Sequence, residues 1–135
     1  MSDLDQLKRV LYIEDEPDIR MVAEIALHQV GGLDVKACAS GDEGLAIITE
    51  FKPQLILLDV MMPGMDGPQT LKELRRIPEF EHTAVIFITA KVQPDEVEQF
   101  KQLGAADVIT KPFNPMSLAD DIRKIWVTHK DKKGL

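Results

Sequence analysis

Two apolar rhythms alternate along this chain. Short unbroken apolar runs are followed by stretches in which apolar residues recur every three or four positions. The first rhythm marks strands buried on both faces, and the second marks amphipathic helices. Lys8-Arg9-Val10-Leu11-Tyr12-Ile13 reads as the first strand. Ile19, Val22, Ala23, Ala26, Leu27 and Val30 then repeat at helical spacing, opened by Pro17 and ended by Gly31-Gly32. Asp34 to Ala39 alternates, with Val35, Ala37 and Ala39 on one side, as an edge strand does. Ser40 caps a second helix with Gly44, Leu45 and Ile48 on one face, broken by Lys52-Pro53. Leu55-Ile56-Leu57-Leu58 is a third strand that stops on Asp59. Leu71 and Leu74 mark a third helix, beginning near Gly67-Pro68 and ending at Ile77-Pro78. Ala84-Val85-Ile86-Phe87-Ile88-Thr89 is a fourth strand. Pro94 opens a fourth helix with Val97, Phe100 and Gly104 on one face. Val108-Ile109-Thr110 is a short fifth strand that stops at Lys111-Pro112. Asn114-Pro115 reads as the cap and first residue of a last helix carrying Leu118, Ile122, Ile125 and Trp126.

The pattern is a strand–helix unit repeated five times. Strict alternation with buried strands predicts an α/β fold: a parallel five-stranded sheet covered on both faces, joined by right-handed crossovers, in three layers. Two strand orders fit, and the order 2-1-3-4-5 sets strands one and three side by side at the switch point. The 135 residues suit one domain. Residues 1–7 read as an N-terminal tail, 8–129 as the domain and 130–135 as a frayed C-terminal tail. The formal net charge of −7 argues against nucleic acid as a direct partner. Cys38 is the one cysteine, so no internal disulfide forms. No apolar run approaches the roughly 20 residues of a membrane span, and the polar, acidic start is unlike a signal peptide. A cytoplasmic protein with no membrane partner is expected.

The strand ends carry the chemistry. The first stops at Glu14-Asp15, the third at Asp59, the fourth at Thr89 and the fifth at Lys111. Each has an ordinary explanation taken alone: Glu14-Asp15-Glu16 as acids favoured at a helix N-terminus, Asp59 as a cap, Thr89 as a β-branched strand residue, Lys111 as a surface lysine. In the order 2-1-3-4-5, though, the four ends are neighbours along one edge of the sheet. Crowded carboxylates must either raise a pKa or hold a cation. Oxygen donors without cysteine or histidine suit Mg2+ (or Mn2+). Asp15 and Asp59 would be direct ligands, Glu14 would act through water, and the Met61 backbone carbonyl would supply another oxygen. Carboxylate, divalent ion, hydroxyl and lysine together fit phosphoryl transfer onto Asp59, with Lys111 pairing with the phosphoryl group and Thr89 donating to it.

These residues resemble a known family. Tyr12-Ile13-Glu14-Asp15-Glu16, Leu57-Leu58-Asp59 through Gly67, Ile88-Thr89-Ala90 and Lys111-Pro112-Phe113 stand in the order of the receiver domain of two-component response regulators, including the single-domain chemotaxis type. The resemblance runs from about Lys8 to His129. It implies the flavodoxin-like (βα)5 fold with strand order 2-1-3-4-5, Asp59 as phosphoacceptor, the metal pocket above and a cis bond at Lys111-Pro112. It also implies a histidine kinase or histidine phosphotransfer protein as donor, because His28, His82 and His129 lie away from the pocket. Such a receiver catalyses only its own phosphorylation and dephosphorylation. Its switched surface would be helix four with its flanks, Thr89 to Thr110, read by an unidentified protein target.

Three positions depart from the family pattern or tune it. The family often carries an aromatic residue three before the lysine, and Val108 stands there, leaving backbone movement to carry the switch. Met61 and Lys91 flank the pocket and are expected to tune the lifetime of the phosphoryl group. Rival readings are a non-phosphorylated pseudo-receiver, a fragment of a larger regulator, an FMN binder and a haloacid-dehalogenase-type phosphatase. Glu14-Asp15-Glu16 would repel the phosphate of FMN. The phosphatase needs a second acid where Met61 stands.

Overall fold

The five apolar runs form β1 (Arg9–Ile13), β2 (Asp34–Cys38), β3 (Leu55–Asp59), β4 (Ala84–Thr89) and β5 (Asp107–Thr110), all paired in parallel. This computed structural model describes residues 7–90 and 93–132. The strand order is β2-β1-β3-β4-β5, as the family resemblance implied. Between the strands run α1 (Pro17–Ile25), α2 (Gly41–Phe51), α3 (Gly67–Arg75), α4 (Pro94–Gln102) and α5 (Leu118–Lys132).

Successive side chains of a strand point to opposite faces, so each strand feeds two cores. Val10, Tyr12, Leu55, Leu57, Ile86 and Ile88 pack on one face beneath α1 and α5, against Ala23, Leu27, Ile122 and Trp126. Leu11, Ile13, Ile56, Leu58, Val85 and Phe87 pack on the other, against Ile48 of α2 and Leu71 and Leu74 of α3. β3 and β4 are buried along their whole length because they are central and covered on both sides. β2 is an edge strand with Asp34 and Lys36 exposed.

Side-chain caps start two of the helices. Ser40 Oγ accepts from the Glu43 N–H at 3.1 Å and starts α2. Asp66 caps α3: its carboxylate accepts from Gln69 N–H while the Gln69 side chain accepts from Asp66 N–H.

The structure corrects several sequence-based boundaries. The first helix changes at Ala26 into a wider π turn, Ala26–Val30, closed by Gly31 N–H to Ala26 O at 3.1 Å. Gly31 is tightly fitted there, since a Cβ would lie 2.4 Å from that of Ala119. Gly104 is not on the face of α4 but beyond its end, at φ +113°, where it turns the chain into β5. The last helix starts at Leu118, not after Asn114. Asn114 accepts from Met116 N–H through its side chain and from Ser117 and Leu118 N–H through its carbonyl, and so governs a turn ahead of the helix. α5 then continues past Lys130 to Lys132. Leu7, assigned to a tail, is buried against the α1–α5 core. The remainder of that tail, residues 1–6, lies outside the described residues, as do 133–135.

Candidate functional site

Parallel register fixes where the strand ends meet. β1 and β3 pair Ile13 with Leu58, so Glu14 and Asp59 leave the adjacent strands at the same level. β3 and β4 pair Asp59 with Ile88, which puts Thr89 one residue further out on the neighbouring strand. Thr89 pairs with Thr110, and Lys111 follows. The backbone at these ends stays bonded to the sheet. Glu14 N–H donates to Cys38 O, Val60 N–H to Ile88 O and Lys111 N–H to Thr89 O, at 3.0, 3.2 and 2.9 Å. The Lys111–Pro112 bond is cis.

Carboxylate oxygens of Glu14, Asp15 and Asp59 all lie within 4.8 Å of one another. Glu14 and Asp59 are buried, Asp15 half-buried. The Lys111 ammonium enters this group and lies 2.5 Å from Glu14 Oε1 and 3.1 Å from Asp59 Oδ1. Burial, then the neighbouring Glu14 carboxylate, pushes the Asp59 carboxyl up to about 7, with Lys111 opposing. Burial works against the Lys111 ammonium, but Glu14 and Asp59 outweigh it and raise its pKa. The Tyr12 phenol is pushed upward by burial and by the charges of Glu14 and Asp59, and so stays a neutral donor.

The loops around the acids are held by groups that read as ordinary core or surface residues in the sequence. Arg20 does not pair with the carboxylates. Its guanidinium donates to the backbone carbonyls of Glu14 at 2.7 Å and Asp15 at 3.3 Å, fixing the turn from β1 into α1. Gly67 lets α3 approach the end of β3, since a Cβ there would lie 2.6 Å from Asp59 O and 2.8 Å from Val60 Cα.

Of the residues singled out from sequence, Glu14, Asp15, Asp59 and Lys111 are in direct proximity. Thr89 is buried at the end of the next strand. Met61 sits in the loop after β3 with its side chain 73% exposed. Lys91 lies outside the described residues. His28, His82 and His129 are elsewhere: His28 bonds Leu33 O, and His129 bonds His82 O. Val108 is partly buried against the α2–α3 core.

Among the described residues, three carboxylates face one ammonium, which leaves negative charge uncompensated. The donors are oxygen alone, which suits a hard divalent cation rather than a soft one. No helix among the described residues is long and apolar enough to cross a membrane.

Comparison with known proteins agrees with this geometry. The chain matches the model of the response regulator receiver domain over residues 10–123. It is 33% identical to sporulation initiation phosphotransferase F of Bacillus subtilis, covering 87% of this chain and 92% of that one. It is 34% identical to the phosphate regulon transcriptional regulatory protein PhoB of Pseudomonas aeruginosa, over 87% of this chain and 51% of that protein. A probable transcriptional regulator, ycf27, of Porphyridium aerugineum is 37% identical over 89% of this chain and 48% of its own length. The chain thus spans about half the length of these two regulators. Among solved structures, the chemotaxis protein CheY4 of Vibrio cholerae superposes with a TM-score of 0.82 at 29% identity, over 88% of this chain and 98% of that one. The strand order, the acid cluster and the matched segment lead to one assignment: this chain belongs to the response regulator receiver domain family of two-component signalling.

Proposed function

We propose that residues 8–129 act in the cytoplasm as a phosphoacceptor switch, taking a phosphoryl group from a phosphohistidine onto Asp59. The observation that carries this reading is the placement of Asp59: buried at the end of a central strand, against two further acids and 3.1 Å from the Lys111 ammonium. The name of the Bacillus subtilis relative, a phosphotransferase, agrees with it.

Asp15, Asp59 and the Met61 carbonyl would hold Mg2+ (or Mn2+), with Glu14 acting through water. Held there, the ion would supply positive charge against the negative charge that develops on the phosphoryl group. An Asp59 Oδ forms the new P–O bond as the P–N bond to the donor imidazole breaks, and the nitrogen keeps the electron pair. Lys111 pairs with the transferred group as a point charge, and the Thr89 hydroxyl donates to it. The Met61 side chain lies at the exposed lip, where it screens the attacking water and tunes the lifetime of the phosphoryl group. The donor is a histidine kinase or histidine phosphotransfer protein. The product carries about −1.5 to −2 charges at the site, and drawing Thr89 and Lys111 inward alters a protein-binding surface around α4.

Incubation with acetyl phosphate and Mg2+, followed by intact mass, tests this. A phosphate-sized gain is expected in the wild type and in Asp66→Asn, whose amide still caps α3, and is expected to vanish in Asp59→Asn. No gain, with no Mg2+ binding, would make the chain a pseudo-receiver that works as an interaction module.

A further inference from the structure

Glu14 is fully buried, and both its carboxylate oxygens are in use. Oε2 accepts from the Glu16 N–H at 3.2 Å. Oε1 is approached twice: by the Lys111 ammonium at 2.5 Å and by the Tyr12 hydroxyl at 3.4 Å. Tyr12 lies two residues before Glu14, on the same face of the sheet, with its ring fully buried. Its 3.4 Å separation is long for an O–H···O bond, so the contact has room to shorten.

The ammonium is therefore closer to Glu14 than to Asp59, at 2.5 against 3.1 Å. The proposed chemistry needs it on the phosphoryl group at Asp59. Any shift that way draws the strongest donor off a carboxylate oxygen that water does not reach. A buried carboxylate oxygen without a donor is costly, and that cost would count against the phosphorylated state. The Tyr12 hydroxyl already faces the oxygen that Lys111 would leave.

We infer that Tyr12 is a positioning residue that releases Lys111: its hydroxyl closes on Glu14 Oε1 as the ammonium moves to the phosphoryl group. The inference rests on the phosphoacceptor reading of Asp59. A phenylalanine at this position would fill the same core volume, so the hydroxyl is what distinguishes the two.

The test is the affinity for beryllofluoride at saturating Mg2+, read from amide NMR shifts, with Mg2+ affinity measured separately. Tyr12→Phe is expected to weaken beryllofluoride binding about tenfold, with Mg2+ binding changed far less. In a Glu14→Gln background the ammonium is no longer tied to a buried charge. There, adding Tyr12→Phe is expected to change beryllofluoride affinity less than about twofold. Unchanged affinity in Tyr12→Phe, or a loss just as large in the Glu14→Gln background, would overturn the role of Tyr12. A wild type that binds Mg2+ but takes up no beryllofluoride would instead overturn the phosphoacceptor reading, and this inference with it.

Discussion

Asp59 occupies a pocket that opposes its own ionisation. Burial and the Glu14 carboxylate raise it to about 7, so near neutral pH a proton would compete with the proposed divalent cation for the same oxygens. The apparent Mg2+ affinity is therefore expected to fall as pH drops through about 7, by up to about tenfold per pH unit below it, and to level off above. Calorimetric titrations at pH 6 and pH 8 check this, and equal affinities would show that Asp59 ionises as an ordinary carboxylate. Gly67 meets backbone rather than a movable side chain, so Gly67→Ala is expected to cost about 1–3 kcal/mol in urea unfolding. A cost within experimental error would show that α3 backs away without strain. The acids and Lys111 were legible in the sequence because each one ends an apolar run. Tyr12 was equally visible, since the period of two puts it on the face of Glu14, but within an apolar run it reads as core. Arg20 was out of reach, because donation to two carbonyls depends on a turn that residue type does not specify. Asp66 with Gln69 three residues later is a capping signature, and it marks the start of α3.

Among the helices, α4 is the one whose anchorage is thinnest. None of its residues is buried, whereas α2 buries Gly41, Gly44 and Ile48 and α3 buries Thr70, Leu71 and Leu74. Its hold on the sheet runs through Phe100, whose ring meets Phe87 edge-on with centroids 5.0 Å apart. The turn behind it is tied by Arg75, which donates to Gly104 O at 3.0 Å and to the carbonyls of Phe80 and Thr83. A helix tethered at its C-terminal end and lightly packed along its length is a fitting element for a switch to move. Amides of α4 are expected to exchange with solvent faster than those of α2 and α3. Phe100→Ala is expected to speed α4 exchange further and leave α2 unchanged, and equal protection in α4 and α2 would remove α4 as the mobile element. The apolar rhythm located all five helices but blurred their ends. Recurrence every three to four residues does not separate an α-helix from the π turn at Ala26–Val30, and Asn-Pro does not separate a helix cap from a turn cap.

At the scale of the whole molecule, the two-sided core forces a parallel sheet, but the order of its strands is a different matter. Burial patterns alone left two orders open. The family motifs decided it, and the structure agrees, with β1 and β3 adjacent at the centre and their terminal acids side by side. That arrangement sets a functional site against the stability of the fold. In the unfolded chain Asp59 titrates near its ordinary 3.8, and in the folded apo protein it is raised to about 7. A raised carboxyl means that the folded state binds the proton more tightly. Its contribution to stability is thus fully present below about 4, declines as pH rises from there to about 7, and is flat above. The difference between the wild type and Asp59→Asn isolates this group, because the remaining charges titrate in both. Without metal, Asp59→Asn is expected to melt at a higher temperature than the wild type at pH 8, with the gap closing towards pH 4. Saturating Mg2+ at pH 8 is expected to raise the wild type more than the variant, because the cation takes the place of the missing proton. Melting curves that stay parallel between pH 4 and pH 8 would show that the fold carries no strain at Asp59. The pocket would then hold its acids at ease without the cation that the proposed switch requires.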